Sequence, residues 1–161
     1  MIKLLPRFLY ASFLLAASQA HAGADFGVTV TAATSEKTAT FTITNTSSYS
    51  GGFFIDRSTE HKFAGPKPTE LTNQRIKVTY LLNGSPMTDP TATITLGSKQ
   101  SATVTLKLRI LGNIPLAYKR TYTTTVTATQ TVFPSSRPTP HYRLPTITAS
   151  ATAKLVVKPT K

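Results

Sequence analysis

The chain of 161 residues contains no cysteine. That excludes disulfides, thiolate metal sites and a thiol nucleophile. Acidic residues are scarce as well, six against 18 Lys and Arg, for a formal net charge of +12. Asp25, Glu36, Asp56, Glu60, Glu70 and Asp89 are scattered, and only Asp56, Glu60 and His61 lie close together, a grouping that reads as solvated loop charge. Beyond the first 22 residues the histidines are His61 and His141, in separate segments and without the carboxylate spacing of a metal site or a catalytic triad. No glycine-rich loop precedes a helical pattern, and no long helical pattern is present at all. These absences predict no catalytic residue, no metal and no cofactor. The chain reads as a non-enzyme.

No apolar run is long enough to span a membrane. The longest, residues 8–17, holds about ten residues where a span needs about twenty. With Lys3 and Arg7 before it and Ala20-His21-Ala22 after it, it has the layout of a secretory signal peptide, residues 1–22, cut after Ala22. Residues 23–161 are then an exported single domain. Without Lys3 and Arg7 its 16 basic and six acidic residues leave a net charge of +10.

What the sequence does contain is alternation. From Ser101 to Ile110, Ala102, Val104, Leu106, Leu108 and Ile110 fall on one face, with Ser, Thr and basic residues on the other. Such a period of two defines a half-buried β-strand. The same rhythm recurs through about thirty threonines, a residue favoured in strands. It predicts eight strands at residues 26–32, 38–44, 52–56, 75–82, 91–96, 101–111, 122–132 and 147–158. Turn residues separate them: a Ser/Thr/Gly turn over 45–52, a tight turn at Asn83-Gly84-Ser85-Pro86, a hairpin connection at Gly97-Ser98 and a loop opening at Gly112-Asn113. Seven to eight short strands without helices predict an all-β fold, an immunoglobulin-like antiparallel β-sandwich. A barrel is its main rival.

Two connections are longer. Residues 57–73 carry Pro66, Pro68 and mixed charge; residues 133–145 carry four prolines together with Arg137, His141, Tyr142 and Arg143. Proline stiffens the second loop, and two guanidiniums beside an aromatic ring suit an anionic or sugar ligand, such as a host or surface glycan. The same composition also serves a plain connector that discourages edge pairing. Nucleic acid is not expected as a partner. Lys77, Lys107, Arg109, Lys119, Arg120, Lys154 and Lys158 are spread along the chain without interleaved aromatics.

The terminal segments carry a family resemblance. Ala24-Asp-Phe-Gly-Val-Thr-Val-Thr-Ala places Phe26, Val28, Val30 and Ala32 on one face and resembles the N-terminal donor strand of chaperone–usher fimbrial subunits. Leu96-Gly-Ser-Lys-Gln-Ser-Ala-Thr-Val-Thr-Leu, followed by Tyr122-Thr-Thr-Thr-Val-Thr-Ala-Thr, is similar to the late strands of such pilins. The resemblance implies a structural or adhesive fimbrial subunit assembled by donor-strand exchange. Its partners would be other subunits, a periplasmic chaperone and an outer-membrane usher, and its destination the cell surface by way of the periplasm. The chain departs from the pattern in lacking cysteine, in having Lys119-Arg120-Thr121 before Tyr122 where many pilins have glycine, and in continuing beyond residue 132. There Ile147, Ala149, Ala151, Ala153, Leu155 and Val157 form a further apolar face, itself similar to a donor strand. Such a strand either is the exchanged one or completes the sandwich within one chain. The alternative function is therefore a self-complete exported module, acting as a periplasmic accessory protein or a ligand-binding adhesin. Thr38-Ala-Thr-Phe-Thr-Ile-Thr-Asn-Thr also resembles the second strand of periplasmic pilus chaperones, which have two domains where this length holds one.

Overall fold

The computed structural model describes residues 18–22, 26–65, 76–111, 118–132 and 146–159. Among them are ten strands and no helix: β1 (Ser18–Ala22), β2 (Phe26–Thr34), β3 (Thr38–Asn45), β4 (Gly51–Ala64), β5 (Ile76–Leu82), β6 (Ser85–Pro86), β7 (Thr91–Leu96), β8 (Ser101–Ile110), β9 (Lys119–Val132) and β10 (Thr148–Val157). They form two antiparallel sheets, ordered β1-β2-β3-β8-β5-β6 and β10-β9-β4-β7. The apolar positions of every alternating strand turn toward one shared core, the layout of a β-sandwich. Phe41, Ile43, Phe53, Ile55, Leu106 and Val126 are completely or almost completely excluded from solvent there.

Strict alternation places β2, β3, β7, β8 and β10 within two residues of their expected limits. The segment after Asp56 corrects the sequence reading. Instead of entering a loop at Arg57, β4 runs on to Ala64, because each of its residues from Asp56 onward stays paired with β9, ending at Ala64↔Lys119. β9 accordingly begins at Lys119, three residues before its expected start. The Gly97-Ser98 turn is also corrected: Gln100 N–H donates to the Gly97 carbonyl at 3.1 Å, yet the strands it joins, β7 and β8, belong to different sheets. It is a crossing between layers rather than a hairpin. A two-residue hairpin is at Asn83-Gly84, where φ is +50° and +84°, the left-handed pair that such a turn between β5 and β6 requires.

Outward positions are as regular as inward ones. On β2, β3 and β8 the register aligns three cross-strand rows, Thr29-Thr44-Ser101, Thr31-Thr42-Thr103 and Ala33-Thr40-Thr105. Thr44 and Ser101 hydroxyls hydrogen-bond at 2.7 Å. On the other sheet Thr125 pairs with Thr152 at 2.9 Å and Thr129 with Thr148 at 3.0 Å, hydroxyl to hydroxyl. Lys77, Lys107 and Arg109 are exposed beside these rows, the solvent-facing role that alternation predicts.

Candidate functional site

The two segments that resemble donor strands meet along one side of the sandwich. β2 is next to the edge of the first sheet, β10 is the edge of the second, and the two pack against each other across the seam. From β2, Val28 and Val30 are wholly buried and Ala32 nearly so; Phe26 pairs with Ala22 at the start of the strand. From β10, Ala149, Ala151, Ala153, Leu155 and Val157 are all buried, with Ile147 buried just ahead of them. β10 pairs antiparallel with β9 over ten consecutive residues, from Thr148↔Thr129 to Val157↔Arg120. Ile147 extends the ladder, its carbonyl accepting from Gln130 N–H at 2.8 Å. Both segments therefore fill this chain's own core.

On its outer side β2 pairs with β1, from Ser18↔Val30 to Ala22↔Phe26. All five residues of β1 lie inside the segment that the expected cleavage after Ala22 removes. Arg137, His141, Tyr142 and Arg143 lie outside the described residues.

The Asp56, Glu60 and His61 grouping does not converge. Alternation along β4 sends Asp56 and Glu60 to the outer face, where Glu60 pairs with Lys62 at 3.6 Å with both side chains largely exposed, and turns His61 toward Tyr122 on the inner face. Among the described residues no group of three or more His, Asp or Glu has metal-binding proximity.

That inner face holds a cluster that the sequence alone does not assemble. The Arg57 guanidinium lies 3.7 Å from the centre of the Tyr80 ring on the opposite sheet and donates to the carbonyls of Met87 at 3.3 Å and Thr88 at 3.2 Å. Thr59 joins Tyr80 Oη to Thr124 Oγ1, bonding both. His61 stacks on Tyr122 with ring centres 4.2 Å apart and tilts against Phe63 at 4.1 Å. Arg120, which the sequence places among scattered surface charges, is 2 % exposed, with its guanidinium 5.3 Å from the Phe63 ring centre. Burial, and secondarily the Arg120 charge, hold the His61 imidazole below its ordinary value. Burial pushes the Tyr122 phenol up, opposed by a hydrogen bond from Arg120 and by its charge. The signal for this cluster was the continued alternation of Arg57, Thr59, His61 and Phe63, masked by the polarity of those residues.

A cleft of about 410 Å³ opens where β10 ends, lined by Glu36, Lys37, Ile110, Val156, Val157, Lys158 and Pro159. Comparison with models of known protein families and with curated proteins gives no match.

Proposed function

We propose that this chain is an exported, non-enzymatic immunoglobulin-like module that completes its own sandwich and serves a surface fimbrial system as a structural or adhesive accessory. Support for the immunoglobulin-like reading comes from strand order. With β2, β3, β4, β5, β8, β9 and β10 lettered A to G, the sheets read A-B-E-D and G-F-C, the constant-type arrangement. β7 is then an added strand beside C, while β1 and β6 extend the edges of the other sheet.

One observation carries the functional reading: β10 occupies the place of the last strand, with ten paired residues and a fully buried apolar face. A fimbrial subunit that waits for a partner strand leaves that place open. The second reading, strand exchange among fimbrial subunits with a chaperone and an usher as partners, draws on the position of β10 at a sheet edge, held by a ladder on one side only.

Thr125 and Thr152 distinguish the two. They are directly paired, their hydroxyls are 2.9 Å apart, and the chain has no cysteine of its own, so Thr125→Cys with Thr152→Cys reports strand origin without background. Mild oxidation is expected to give a monomer with an internal disulfide. Disulfide-linked multimers, separated on a non-reducing gel, would transfer the assignment to strand exchange.

A further inference from the structure

We propose that the outer face of β2, β3 and β8 is an ice-binding surface. Its three cross-strand rows form a lattice of eight hydroxyls and one alanine without a single charge, on a protein whose net charge is +12. The register fixes the lattice. Residues two apart along a strand repeat at roughly 6.6 Å and neighbouring strands at about 4.8 Å, repeats of the same order as those of the oxygen planes of hexagonal ice.

Threonine adds a second kind of order. Its branched side chain is restricted at χ1, so each hydroxyl and methyl is largely held in place before any ligand arrives, and little side-chain entropy is lost on binding. The Thr side chains of β2 and β3 in these rows, and Thr103 and Thr105 of β8, are half-buried, which fixes them further. A polysaccharide is the poorer fit, because sugar rings are gripped by aromatic faces and the lattice positions hold none. An anionic ligand is poorer still, since the nearest cation on these strands, Lys107, sits beyond the last full row, opposite Thr38.

Sheet twist, about 20–25° between adjacent strands, limits how many rows can meet a flat crystal at once. The central row, Thr31-Thr42-Thr103, therefore dominates the contact. A lysine there would both break the repeat and place a hydrated charge against the crystal.

The experiment is ice-recrystallisation inhibition by the purified chain, with direct imaging of fluorescently labelled protein on single ice crystals. The folded wild-type protein is expected to coat ice and suppress grain growth. Thr42→Lys, and independently Thr31→Lys, should weaken that activity at least tenfold while the circular dichroism spectrum and melting temperature stay those of wild type. Thr125→Lys, on the outer face of the other sheet, should leave it intact. Folded wild-type protein with no effect on ice overturns the proposal, whether or not it adsorbs to crystalline cellulose. So does undiminished activity in whichever lysine variant folds, or an equal loss in Thr125→Lys.

Discussion

At the scale of single residues, the inward positions of β4 change character partway along. Phe53 and Ile55 belong to the dry core, whereas Arg57, Thr59, His61 and Phe63 form a polar and aromatic continuation bound to Tyr80, Thr124, Tyr122 and Arg120. His61 gives this region a pH dependence of definite sign. Its folded-state pKa lies below the ordinary imidazole value of 6.5, so the unfolded chain takes up the proton more readily, and the contribution to stability present above about pH 6.5 is lost as pH falls. Urea midpoints should therefore drop between neutral and mildly acid pH for wild type. In His61→Phe, which keeps a ring against Tyr122, that part of the drop should vanish. An unchanged profile in the variant would remove His61 as its source.

Between elements, the connections that cross from one sheet to the other depend on a buried amide. Asn45, wholly excluded from solvent, ends β3 and donates from Nδ2 to the carbonyls of Tyr49 at 2.7 Å, Leu96 at 3.1 Å and Gly97 at 3.0 Å. Its Oδ1 accepts from Ser47 N–H at 3.0 Å and from the Ser47 hydroxyl. One side chain thus ties the β3–β4 crossing to the β7–β8 crossing. Asn45→Leu removes the donor while leaving the crossings buried, and should cost about 1–3 kcal/mol in equilibrium unfolding, because buried carbonyls lose partners. Thr44→Ala, which deletes only an exposed hydroxyl pair, should cost well under that. Equal effects would mean that burial does not decide the value of these bonds.

Alternation made most strands legible. Residues 38–44 and 101–110 have an apolar side chain at every second position, so both strand and inward face follow directly. β4 was legible only as far as Asp56, since Arg57, Glu60, His61 and Lys62 look like a loop until β9 is seen pairing with them. Sheet membership was not legible either. The turn at Gly97-Ser98 has the chemistry of a hairpin, and only the pairing of β7 with β4 and of β8 with β3 shows that it bridges layers. For the candidate site, alternation marks the apolar faces of β2 and β10, but a period of two cannot say which chain's core they fill.

For the whole molecule, that question is one of completeness. The sandwich is closed on one side by β2 against β10 and tied on the other by Arg57 against Tyr80. Ile147, Leu155 and Val157 bury side chains at about 1.5–3 kcal/mol each, against a total stability of about 5–15 kcal/mol for a domain. Whether β10 stays at home thus decides whether the molecule folds alone. The central claim is tested most directly by refolding the chain that begins at Gly23 from denaturant, with no chaperone, over a wide range of protein concentrations. Self-completion predicts one cooperative transition to a monomer, with a midpoint independent of concentration. A midpoint that rises with concentration, or a chain that folds only when a peptide of residues 147–157 is supplied, would contradict it.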